Sequence, residues 1–173
     1  VPDMAVFAKS LSNGFAMGAI VGQRAVMEAA HPMFISSTYW SDTVGLRAAL
    51  TTINEVERRG VPAQLADVGQ GLVQSVRDLA AEVGVPMTAG GIEFHPHFSF
   101  QEEDPLLKQQ LTTLFIQEMA KRGCHMGMSF YMNASHGPVE VEQTLVAMRE
   151  TLVLIREAQE SGTVEDRLEC ELK

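Results

Sequence analysis

The sequence predicts a mixed α/β chain, and three observations carry that expectation. Short apolar runs closed by polar turn residues, from Met4 to Ala8 and from Ala19 to Gly22, read as buried strands. Longer stretches in which apolar residues step by three and four read as amphipathic helices. Between these, the texture from Met87 to Phe100 changes in places to the alternation of a strand.

Taken in order, the first apolar run ends at Lys9, and Ser10 to Gly14 is turn material. A second short strand comes next, then one or two helical turns from Arg24 to Ala30, ended before Pro32. Phe34-Ile35 leads into a hydroxyl-rich loop, Ser36-Ser37-Thr38-Tyr39-Trp40. Ser41 or Asp42 can cap the next helix. Its set Val44, Leu46, Ala49, Leu50, Ile53 and Val56 is expected to be mostly buried, and Arg58-Arg59-Gly60 closes it.

A second long helix is expected from Ala63 to Val83, with Leu65, Val68, Leu72, Val76 and Leu79 on one face and Gly84 and Pro86 beyond it. Met87 to Phe100 reads as two strands joined by a Gly90-Gly91 turn. Asp104-Pro105 opens a helix as N-cap and first-turn proline, running to Arg122 before Gly123. Cys124 to Met128 is strand-like. Pro138 opens the last helix, where Val141, Leu145, Met148, Leu152 and Ile155 repeat. A domain boundary is expected at 61/62, with an α+β unit beyond it.

The 173 residues are 46% apolar and 20% charged, the balance of a globular chain, and the formal net charge is −9. An acidic chain with few clustered basic residues argues against nucleic acid as a partner. No apolar run approaches the roughly 20 residues that span a bilayer, so no membrane partner is expected. Cys124 and Cys170 show no metal-ligand spacing and read as free thiols of a reducing compartment. With no basic leader and no initiator Met, the chain is expected to start within a longer protein, in the cytoplasm.

Lys9 is the sharpest chemical position. A lysine closing an apolar strand before a small polar turn is held near buried surface, where partial desolvation makes its amine a usable nucleophile for carbonyls. The plainer alternative is a strand-end lysine reaching solvent. The loop containing Ser37 and Thr38 offers hydroxyls near a helix N-terminus, a setting that suits an anion. Simple capping by Ser41 or Asp42 is the alternative there. Asp42 must point away if a phosphate is to bind.

The segment from Asp3 to Gly14 resembles the second half of the class III aminotransferase signature: Asp, apolar and small residues, the cofactor lysine, then small or polar residues ending in Gly. Ala19 to Gly22, Arg24 to Met27, and the Ser-Ser-Thr loop resemble that family's continuation beyond the signature. Phe115 to Met119, Lys121 to Gly123 and Ala134-Ser135-His136-Gly137 are similar to the glutamate-1-semialdehyde 2,1-aminomutase-like branch. Gly137-Pro138 departs from its usual Thr and acidic residues. The aminomutase's Glu, matched near Phe130 to Met132, is absent.

The resemblance implies pyridoxal 5'-phosphate as cofactor and fold type I: a large domain with a mostly parallel sheet and an α+β small domain. Residues 1–61 would end the large domain, and 62–173 would be a linking helix and the small domain. Lys9 would form the Schiff base and shuttle protons as amino groups pass between an amino compound and a keto acid or aldehyde. Ser37 and Thr38 would hold the phosphate of a dimer mate's site, implying a homodimer.

The acid that pairs with the pyridine nitrogen is expected upstream, so this fragment alone should be inactive. An aminomutase and a non-catalytic fold relative remain alternatives. His95, His97, His125 and His136 could suggest a metal, but without a recognisable ligand spacing none is expected. Arg24, Arg47 and Arg58 read as structural.

Overall fold

The structure is a computed structural model that describes residues 2–172. It divides into two compact units that part between Val61 and Pro62.

In the first unit, β1 (Met4–Phe7) pairs with β2 (Ala19–Gly22) antiparallel, Met4 opposite Gly22 and Phe7 opposite Ala19. A short helix, α1 (Arg24–Met27), continues into a 3-10 turn over Glu28–Ala30. After an irregular stretch comes α2 (Thr43–Arg58). Its N-cap is Asp42, whose carboxylate accepts the Val44 N–H at 2.9 Å. The carboxylate is thereby turned onto its own helix.

The expected burial is not found here. Of the α2 set only Ala49 is buried, while Val44, Leu46, Leu50, Ile53 and Val56 remain exposed. Met4, Val6, Phe7, Ile20 and Val21 of the two strands are exposed as well. A two-stranded sheet has too few neighbours to bury both faces, and the described residues supply no further strands to it. The apolar patterns are real, and they leave apolar surface open on the first unit.

The second unit has a core of its own. The long helix α3 (Val61–Val83) buries Leu72, Val76, Leu79 and Ala80. The hairpin of β3 (Met87–Ile92) and β4 (His95–Phe100) is antiparallel, Met87 opposite Phe100 and Ile92 opposite His95. Its turn is therefore at Glu93-Phe94, and Gly90-Gly91 lies inside β3, a correction to the expected turn. Gly91 has φ +96, and a methyl group on it would come within 2.6 Å of the His97 ring. Gly91 serves a close approach and not a reversal.

Asp104 caps α4 (Pro105–Lys121), accepting the Leu106 N–H at 2.9 Å. Gly123, at φ +80, ends that helix, and the Cys124 N–H returns to the Met119 carbonyl. Pairing with β4 then comes later than expected. Cys124 to Gly127 form no strand, whereas Phe98 N–H donates to the Met128 carbonyl and Met132 N–H to the Phe94 carbonyl. The last helix is α5 (Pro138–Ser161). Phe98, Phe100, Leu114, Phe115, Met119, Met148, Leu152 and Ile155 fill the space between these elements.

Candidate functional site

Lys9 stands two residues after β1, at the start of a single 3-10 turn over Lys9–Leu11. Its backbone is left-handed, φ +55, a region that non-glycine residues enter at a cost of roughly 1–3 kcal/mol. Asn13 (φ +49) and Gly14 (φ +107) continue the tight path. The Leu11 N–H donates to the Ala8 carbonyl at 3.2 Å, and the Phe15 N–H to the Ser12 carbonyl at 3.3 Å. Ser12 is buried and its hydroxyl donates to the Phe15 carbonyl at 2.5 Å.

This turn is seated on α2. A methyl group on the buried Gly45 would approach the Ala16 carbonyl oxygen to 2.7 Å, so backbone lies directly on the helix there. A cleft of about 570 Å3 opens between the turn at Ser12, Asn13 and Phe15 and the helix at Thr43, Arg47 and Thr51. Such packing is what holds a strained residue in place. The Lys9 side chain is exposed and has no ion pair or hydrogen bond among the described residues. The desolvation expected at the strand end is not supplied by them.

Ser37 and Thr38 are exposed, in the irregular stretch before α2. The Ser37 hydroxyl accepts the Tyr39 N–H at 3.3 Å, and the Thr38 hydroxyl has no partner among the described residues. No hydrogen bond joins either residue to Lys9. Arg58 donates to Glu55 at 2.6 and 3.0 Å, a local helical pair.

The second unit holds features that sequence reasoning missed. The His95 and Tyr131 rings stack at 4.2 Å with planes 1° apart, and His97 meets His95 edge-on at 5.8 Å. Tyr131 also lines a cavity of about 400 Å3 bounded by residues from Gly123 to Thr144, His125 and His136 included. Alternation of His95 and His97 along β4 was the only signal of this cluster in the sequence. Among the described residues no group of three His, Cys, Asp or Glu side chains is placed to hold a metal ion. Among them, too, no helix is long and apolar enough to cross a membrane.

Comparison with known proteins bears on the first unit most directly. Residues 1–91 match the family model described as aminotransferase class-III. The 3-aminobutyryl-CoA aminotransferase of Cloacimonas acidaminovorans (strain Evry) is 28% identical over 158 residues, 90% of this chain and 38% of that protein. The 2'-deamino-2'-hydroxyneamine transaminase of Streptomyces kanamyceticus is 29% identical over 149 residues, 85% of this chain and 38% of that protein. Among solved structures, the PLP internal aldimine form of the Sphingopyxis sp. MTA144 FumI protein has a TM-score of 0.83 at 21% identity, over 92% of this chain and 38% of that one. At that identity the likeness is one of fold. The chain spans about 38% of the length of the curated relatives it matches.

Proposed function

This chain belongs to the class-III aminotransferase family, and from that premise we propose that it carries the cofactor lysine, Lys9, of an enzyme that moves an amino group between an amino compound and a keto acid or aldehyde. Its α/β fold is that of the pyridoxal-phosphate-dependent transaminases, fold type I. The observation that carries the proposal is Lys9 itself. It is a non-glycine residue in left-handed backbone at a strand end, with an unpaired amine, inside the matched segment. A strained residue held by its surroundings is a reason to look for function at that position.

The residues present suit pyridoxal 5'-phosphate. An unpaired primary amine suits an aldehyde, and the hydroxyls of Ser37 and Thr38 suit a phosphate. Asp42 is turned onto the Val44 N–H, which lessens its repulsion of an anion near that loop. When bound, the cofactor supplies an electron sink for chemistry at the substrate carbon that bears nitrogen. Lys9 would hold the cofactor's aldehyde carbon through Nζ. The same Nζ, once free, would take the proton from that substrate carbon and hold it for delivery back to carbon.

Residues 1–61 would close the large domain, and residues 62–173 would form the linking helix and small domain. The exposed apolar faces of β1, β2 and α2 support this, as surfaces that further chain would cover. Ser37 and Thr38 would serve the phosphate of a second copy's site, making the enzyme a homodimer in the cytoplasm. Transfer between two molecules is favoured over an aminomutase, because no Glu stands between Phe130 and Met132 and both named relatives are amino-group transferases.

The test is to supply the full-length protein with pyridoxal phosphate, an amino donor and a panel of keto acids and aldehydes. Net appearance of a new amine from a second molecule is expected. Isomerisation of a single substrate without such transfer would favour the aminomutase. Neither reaction, with no cofactor retained, would mean a non-catalytic relative.

A further inference from the structure

We propose that the cavity of the second unit, between the segment from Gly123 to Asn133 and the first turns of α5, binds a small organic cation. Its volume, about 400 Å3, lies in the range of small-ligand pockets. What selects the ligand is charge. Among the described residues no Lys or Arg lines the cavity, and none occurs from Gly123 to Met148. The adjacent Arg122 is committed elsewhere, to Glu118 at 2.7 Å and Glu150 at 3.1 Å. A carboxylate or phosphate would therefore enter without a permanent positive partner, with only the rings of His125 and His136 and neutral amide and hydroxyl groups to donate to it.

A cation meets the opposite situation. Glu140 of α5 is on the wall. One of its oxygens accepts the Gly137 N–H at 3.0 Å, and the other has no hydrogen bond among the described residues. Phe130 and Tyr131 add aromatic surface, the arrangement that attracts an ammonium over a ring face. Tyr131 is 75% exposed, yet the stack on His95 fixes its plane. A rigid aromatic wall loses little entropy when a ligand settles on it. Asn133, Gln143 and Thr144 supply neutral polar groups for the remainder of the ligand. This inference is independent of Lys9.

The probe is benzyltrimethylammonium, which has no N–H and cannot condense with an aldehyde, so its binding reports the cavity and not cofactor chemistry. Met126 and Met132 line the cavity and serve as reporters through 13C-labelled methyl groups. In the full-length protein their resonances should move and saturate with the cation, and should not respond to 3-phenylpropionate. Glu140→Gln keeps the helix cap, because Gln fills the same role in a capping box, and removes only the charge. It should weaken binding about five- to tenfold, as should Tyr131→Ala. Glu142→Gln, on the same helix but outside the cavity, should leave it unchanged. Methyl groups that do not move, a phenylpropionate that binds as well, or a Glu140→Gln variant with undiminished affinity would each overturn the proposal.

Discussion

Glu118 of α4 and Arg122, the residue that caps this helix, meet one turn apart, Oε2 to Nη1 at 2.7 Å, with the glutamate buried. Lys121 completes the carboxylate at 2.9 Å and reaches Glu169 at 2.6 Å. Gln117 ties the C-terminal residues down, donating to the Arg167 carbonyl at 3.0 Å and accepting the Glu169 N–H at 2.7 Å.

Burial pushes the Glu118 carboxyl up, but hydrogen bonds from Lys121, Arg122 and Gln117 outweigh it and hold the group at about 2, below its ordinary 4.5. A depressed carboxylate stabilises the fold above its unfolded value and loses that contribution as pH falls towards the folded one. Glu118→Gln should therefore cost about 2–3 kcal/mol at neutral pH. The gap between the variant and the parent should close as pH falls from about 4.5 to about 2. Urea unfolding of the full-length protein across that window measures both.

Gly69→Ala should destabilise, although it is a helix-favouring change. Gly69 is buried on α3 against the Glu93 carbonyl, and a methyl group there would overlap that backbone oxygen. Helix propensity returns about 1 kcal/mol, whereas overpacking against backbone costs about 1–3 kcal/mol or more. A lowered urea midpoint with unchanged slope is the expected outcome.

Thr151→Val should have the opposite sign. Thr151 is fully buried on α5, and its hydroxyl has no hydrogen-bond partner among the described residues. Removing an unsatisfied hydroxyl while keeping the shape should stabilise by about 1 kcal/mol. Thr113→Val, at a site where the hydroxyl donates to the Gln109 carbonyl at 2.8 Å, should show no such gain.

Ser37→Ala and Thr38→Val in the full-length protein should each weaken pyridoxal-phosphate retention by about tenfold, the effect of one lost hydrogen bond to a charged group. Equilibrium dialysis of the cofactor measures this. Combining Thr38→Val with Lys9→Ala in separate copies tests the shared site: mixed dimers should contain one intact and one doubly damaged site.

Much of this fold was legible because local chemistry decided it. Asp104-Pro105 and Pro138 mark helix starts that the backbone obeys, and Gly60, Gly84 and Gly123 mark helix ends, because caps act within one turn. The hairpin turn was misplaced because Gly90-Gly91 resembles a reversal, while its reason is the His97 ring across the ladder, which only the pairing reveals. The expected burial of Val44, Leu50 and Ile53 failed for a different cause: periodicity says that a face wants covering, not where the cover is. At the candidate site, resemblance to a known signature proposes Lys9, and resemblance of the following segments proposes Ser37 and Thr38. The left-handed backbone of Lys9 and the Tyr131–His95 stack were not legible, since neither leaves a mark on residue spacing.

The chain contains four lysines, Lys9, Lys108, Lys121 and Lys173, and the central claim is that Lys9, among all lysines of the full-length protein, takes the cofactor. The direct measurement is borohydride reduction of the full-length protein with pyridoxal phosphate, followed by peptide mapping. The account predicts a reduced pyridoxyl group on Lys9, lost in Lys9→Ala with folding retained. A label on any other lysine, or none on Lys9 in protein that retains the cofactor, would contradict it.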